Sequence, residues 1–155
     1  MTPADGPYDL DRFVEAQAGD YDTALAELRG GRKRTHWIWY ILPQLRGLGR
    51  SAMSSRYGIA GLGEARAYLA HPVLGARLRE CVTVLNEHGT MSAAEILGDT
   101  DAQKFHSCVT LFAAVAEGGS PFHVALDLFF DGKPDAATVA RLSESEETRA
   151  RDEAE

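Results

Sequence analysis

Apolar residues in this chain recur at helical spacing, and that periodicity is what most narrows its fold. Leu74, Leu78, Cys81, Val82 and Leu85 fall at i, i+4, i+7, i+8 and i+11, the stripe of a helix with one buried face. The same spacing appears in Leu10, Phe13 and Val14, and in Ala24, Leu25 and Leu28. It returns in Phe105, Cys108, Val109, Phe112, Val115 and Ala116. No two segments alternate apolar and polar residues as a pair of half-buried strands would. A chain of 155 residues suits one core. The expected fold is therefore all-α: a single compact domain of about eight helices with one long irregular Gly-rich segment.

Punctuation sets the boundaries. Asp9 and then Asp20 or Asp22 stand where helix N-caps belong, and Gly30-Gly31 stops the second helix. Pro72 opens the best helix. Ser92-x-x-Glu95 and Thr100-x-x-Gln103 read as capping boxes, Ser120-Pro121 as a further start, and Asp135 as the cap of a last short helix through Val139 and Leu142. Residues 1–8 read as a flexible lead, 9–142 as the helical domain, and 143–155 as a disordered acidic tail.

Charge is unevenly placed. Between Leu28 and Gly63 there is no Asp or Glu, while Arg29, Arg32, Lys33, Arg34, Arg46, Arg50 and Arg56 all fall there. This window surrounds His36-Trp-Ile-Trp-Tyr-Ile-Leu42, apolar nearly all round, capped by Thr35 and ended by Pro43. With no strand to pair with, that segment reads as a short buried helix. Trp37 and Tyr40 would share one face, with Trp39 well round from them. After it, residues 44–63 carry five glycines and three serines with no clear period, and loops of that length tend to carry function.

Several function classes are disfavoured. The net charge of −7 argues against bulk nucleic-acid binding, although a local patch can act against the global balance. The longest apolar run, Trp37 to Pro43, is far too short to span a bilayer. No signal peptide is expected. Cys81 and Cys108 lie on apolar helix faces and read as buried reduced thiols, which fits a cytoplasmic protein. No histidine pair has metal-ligand spacing, so no structural metal is expected, and no cofactor is expected either. No Walker A or dinucleotide fingerprint is present.

What remains is an anion site in the cationic window. Arg32, Lys33, Arg46 and Arg50 would hold phosphates, with Lys104 beside them. The backbone of Gly47 and Gly49 and the hydroxyl of Ser51 would add donors. Trp37 or Trp39 would stack on a ring, Tyr57 would flank it, and Gln44 would read a polar edge. Asp101, Lys104 and Ser107 share a polar face along a helix, so Asp101 is a candidate base with His36 second; Asp131 and Glu80 are lesser carboxylates. Against this stands the plainer reading, in which the arginines pair with neighbouring acidic helices and Asp101–Lys104 is an ordinary helix pair.

Certain stretches carry a resemblance. RFVEAQ at Arg12–Gln17, GRKRTHWIWYILPQLRGLG at Gly31–Gly49, RYGI at Arg56–Ile59, AYLAHPVLGARLREC at Ala67–Cys81, EILG at Glu95–Gly98 and TLFA at Thr110–Ala113 resemble the family catalogued as domain of unknown function 1810. The resemblance spans about Tyr8 to Leu142. It implies a small, mainly helical fold in a cytoplasmic bacterial setting, and it brings no assigned activity and no catalytic residues.

Two functional expectations follow. In one, the chain binds a phosphate-bearing nucleotide or ADP-ribose-like molecule; if it also turns one over, hydrolysis of a glycosidic or phosphate bond is the least demanding chemistry. In the other it is a non-catalytic module, docking an acidic protein or RNA partner or forming a homodimer through this segment.

Overall fold

The computed structural model describes residues 8–144, and among them every regular element is a helix. The order is α1 (Asp11–Gln17), α2 (Tyr21–Arg29), α3 (Ile38–Ile41), α4 (Ala52–Tyr57), α5 (Leu62–Ala70), α6 (Leu74–Asn86), α7 (Ala93–Leu97), α8 (Asp99–Ala113) and α9 (Pro121–Phe130). A tenth helix, α10, covers 136–144. The fold is all-α, as the periodicity predicts. The long helices α6 and α8 do not pack mainly on one another. Both lean on α5 and α9, while α7 lies along α8, α2 along α6, and α1 on α3.

An aromatic chain threads these layers. Tyr40 of α3 lies 5.3 Å from Tyr57 of α4, and Tyr57 lies 5.9 Å from Phe13 of α1. Phe13 meets Tyr68 of α5 edge-on at 5.1 Å. Tyr68 lies 5.4 Å from Phe112 of α8, and Phe112 5.7 Å from Phe122 of α9. Rings at these separations attract by about 0.5–1.5 kcal/mol per pair beyond the area they bury. Six helices thus share one run of aromatic contacts.

Buried polar groups lock the same layers. Arg12 Nη1 donates to Glu64 Oε2 at 2.9 Å, and its Nε and Nη2 donate to the carbonyls of Arg56 and Gly58. Glu64, only 2% exposed, accepts at its other oxygen from the Ala60 amide. One ion pair therefore ties α1, α5 and the turn between α4 and α5. Neither the charge count nor the helical period reveals it.

Several boundary expectations are corrected. Tyr8, read as the end of the lead, packs against the core. Asp9, Asp20 and Thr35 supply no side-chain caps: α1, α2 and α3 begin without one, the Asp20 carboxylate accepts instead from the Tyr40 hydroxyl, and Thr35 bonds to Glu27. The 44–63 segment is less irregular than its composition predicts. It contains α4, capped by Ser51, and a parallel bridge between Leu45 and Ile59 closes its two ends. Thr100-Gln103 forms no box, since α8 starts at Asp99 directly after Gly98, which also ends α7, and Thr100 then lies inside the first turn. The last helix runs on to 144, so only 145–155 of the expected acidic tail, like most of the expected lead (1–7), lie outside the described residues. Other caps form as read: the Ser92–Glu95 box is complete, Ser120 caps α9 with Pro121 at its first position, and Asp135 caps α10 through the Thr138 amide.

Candidate ligand-binding clefts

The cationic window begins with a turn organised by one carboxylate. Glu27, near the end of α2, accepts from the amides of Arg34 (2.7 Å) and Thr35 (3.0 Å), the Thr35 hydroxyl (2.6 Å) and Trp37 Nε1 (3.0 Å). Burial alone would raise its pKa, but the donated hydrogen bonds outweigh burial and hold the carboxyl down at about 2. With Trp37 anchored in the core, α3 is short and its faces are settled. Ile38, Tyr40 and Ile41 turn inward, and Trp39 stays half-buried.

Trp39 forms part of a cleft of about 330 Å³. Lys33, His36 and Ile38 also line it from the window, and Gly98 to Asp101 with Lys104 line it from the start of α8. Lys33 is fixed at both ends: its amide donates to the Ile96 carbonyl at 2.7 Å, and its ammonium lies 2.7 Å from Asp101 Oδ2. The second oxygen of Asp101 lies 3.7 Å from Lys104 Nζ. The two ammonium groups also sit over the two indoles, Lys33 5.0 Å from Trp37 and Lys104 5.1 Å from Trp39. Lys33 is only 6% exposed, whereas Lys104 keeps 24%. Trp39 Nε1 is buried with no hydrogen-bond partner.

A second cleft, of about 400 Å³, lies on the other side of the same turn of α8. Gln44, Leu48 and Gly49 of the Gly-rich loop form one wall, Gln103 and Ser107 of α8 another, and Asp135 and Ala137 a third. Thr100 and Lys104, one turn apart on α8, line both clefts and form the ridge between them.

Two segments distant in sequence, 33–49 and the start of α8, thus bring together Lys33, His36, Trp39, Gln44, Gly49, Asp101 and Lys104. The other expected site residues are placed elsewhere. Trp37 and Tyr57 are core. Arg32, Arg46 and Arg50 are exposed and line neither cleft. Gly47 is roofed by the guanidinium of Arg141, whose Nε donates to the Arg46 carbonyl. Ser51 is spent as the cap of α4. Glu80 accepts from the Tyr21 hydroxyl on the α2–α6 face, and Asp131 is the left-handed residue that ends α9.

The plainer reading of the basic residues also holds in part, because Lys33 is neutralised by Asp101 and Arg29 lies 3.9 Å from Glu80. Sequence reasoning missed Gln103 and Asp135 as cleft residues, having read both as caps. The available signal was a polar stripe, Thr100, Gln103, Lys104 and Ser107, running beside the apolar face of α8.

A family model described as "Protein of unknown function (DUF1810)" matches residues 7–142. The chain belongs to this family. Among solved structures, the conserved hypothetical protein Rv1873 from Mycobacterium tuberculosis is 47% identical, with a TM-score of 0.86. The match covers 88% of this chain and 98% of that one. No curated protein matches. Neither the family description nor the solved neighbour names a reaction. No helix among the described residues is long and apolar enough to cross a membrane.

Proposed function

We propose that this family member is a cytoplasmic bacterial protein that binds a small anionic, ring-bearing molecule of the nucleotide or ADP-ribose type across the paired clefts. The observation that carries this reading is Lys104. It is the more accessible of the two cleft lysines, it stands on the ridge between the clefts, and its ammonium lies over Trp39. Clefts of this size suit such a ligand. Lys104 would meet a phosphate, Trp39 would offer a ring face, and Gln44 would read a polar edge. Lys33 and Asp101 act as a brace that aims Lys104.

Both oxygens of Asp101 face ammonium groups, so its use as a base would first require release of Lys33. Exposed His36 then becomes the better acid–base candidate at the rim, and binding is favoured over hydrolysis.

One observation favours the interaction-module reading. Arg32, Arg34, Arg46 and Arg50 are exposed, lie outside the clefts, and pair with no carboxylate among the described residues. An acidic protein or RNA partner, or a second copy of the chain, would dock there.

A thermal-shift series separates the two. With AMP, ADP-ribose, ribose 5-phosphate and phosphate, a ligand at about 100 times its Kd adds about 2.7 kcal/mol, on the order of 5–10 °C. The expected result is a shift in wild type that Lys104→Ala and Trp39→Ala each lose. Absence of a shift with every compound would sink the cleft reading. Salt-sensitive RNA or peptide binding that Lys104→Ala leaves intact and Arg46→Ala/Arg50→Ala weakens would establish the alternative.

A further inference from the structure

Asp135 and Ser107 present hydrogen-bond acceptors to the larger cleft, beside the apolar lining of Leu48 and Ala137. Thr138 donates both its amide (3.1 Å) and its hydroxyl (2.6 Å) to Asp135 Oδ2. That spends the one hydroxyl proton of Thr138, so in its 2.8 Å contact with Ser107 it can only accept. Ser107 Oγ must therefore be the donor, and its own lone pairs are left for something else. The other oxygen of Asp135 is poorly served. Gln103 Nε2 lies 3.5 Å from it and His106 Nδ1 3.9 Å. His106 cannot improve on this while neutral, because its Nε2 proton is directed at the Lys133 carbonyl, 2.7 Å away. Yet the Asp135 side chain is only 10% exposed and Ser107 3%. Buried acceptors ordinarily have a close donor, and the one hydrogen bond to Asp135 Oδ1 among the described residues, from Gln103, is long at 3.5 Å.

From this we infer that the larger cleft selects a ligand group bearing neutral hydroxyl donors, a ribose-like diol, with Lys104 at its rim holding the attached phosphate. This deepens the cleft reading above and rests on it. A ligand ammonium would also satisfy Asp135, but it would have to sit beside the Lys104 ammonium that lines the same cleft. Hydroxyls donate without that repulsion. Gln103, whose amide already leans on Asp135 Oδ1, would accept or donate to the second hydroxyl of a vicinal pair.

Calorimetric titration with four probes tests this: ribose 5-phosphate, its tetrahydrofuran analogue lacking both ring hydroxyls and the anomeric one, inorganic phosphate, and phosphoethanolamine. Ribose 5-phosphate is expected to bind about tenfold or more tightly than the analogue or phosphate. Asp135→Asn keeps a residue that can cap α10, and it should remove most of that advantage, read as the ratio of ribose 5-phosphate to phosphate affinity within the variant. Should Asp135→Asn lose the fold, Gln103→Ala on the exposed side of α8 is expected to narrow the same gap. Equal affinity for ribose 5-phosphate, analogue and phosphate would overturn the diol inference and leave the cleft reading standing. Tighter binding of phosphoethanolamine would overturn it in favour of an amine. Binding of none of the four would remove both.

Discussion

At the scale of single residues, the site depends on groups that never face it. Glu27 gathers four donors from Arg34, Thr35 and Trp37, and so fixes where the chain leaves α2 and where Trp39 emerges. Removing it leaves the buried Trp37 Nε1–H without an acceptor. Glu27→Ala is expected to lower unfolding free energy by about 1–3 kcal/mol, measured by urea titration. Its pH signature has a definite sign. The folded carboxyl titrates at about 2 against an ordinary 4.5, so its contribution is complete above 4.5 and is lost as pH falls from there toward 2. Between those limits wild type should lose more stability than Glu27→Gln. Parallel curves would mean that the ionised carboxylate is not what holds the turn.

At the scale of elements, close approaches decide the junctions. Gly75 opens α6 against the end of α5 so closely that an added Cβ would collide with the Leu69 carbonyl oxygen, a backbone atom that cannot step aside. Gly75→Ala is expected to cost about 1–3 kcal/mol and lower Tm by several degrees. Gly61→Ala serves as the control, since nothing lies within 4 Å of a Cβ there and the backbone is extended; an equal fall in both variants would refute steric collision as the cause. The helix-end residues show why sequence reading succeeds at some junctions and fails at others. Ser92–Glu95 forms its box because a free residue precedes α7. Thr100–Gln103 has the same pattern and no box, because Gly98 alone separates α7 from α8. A capping pattern states local affinity, and the neighbouring element decides whether that position is a helix end.

At the scale of the whole molecule, the two thiols report on the integrity of the core. Cys81 on α6 and Cys108 on α8 are both buried and free. Burial pushes the Cys81 thiol up to about 12, and Cys108 also lies well above its usual range. Neither should react with a thiol reagent at pH 8 in the native state, and both should react once the chain is unfolded, at a rate that follows global unfolding. Fast native labelling of one thiol would show that its helix opens locally. Lys33, His36, Trp39, Asp101 and Lys104 were each legible as chemistry-bearing residues, because charge and aromatic character are written in the chain. Their meeting in one cleft was not legible, and neither was the exclusion of Arg32, Arg46 and Arg50 from it. Gln103 and Asp135 were hidden by their resemblance to caps.

The sequence by itself determined that this protein is helical, where α7, α9 and α10 begin, and which segment concentrates positive charge and indole rings. These properties depend on neighbours within one or two turns, and periodicity and capping residues record them. Only the tertiary structure decided that Lys33 is spent on Asp101, that Lys104 stands between two clefts, and that Arg12 is buried against Glu64. Such pairings join residues 50 or more positions apart, and an ion pair formed through space leaves no periodic trace in the chain that makes it.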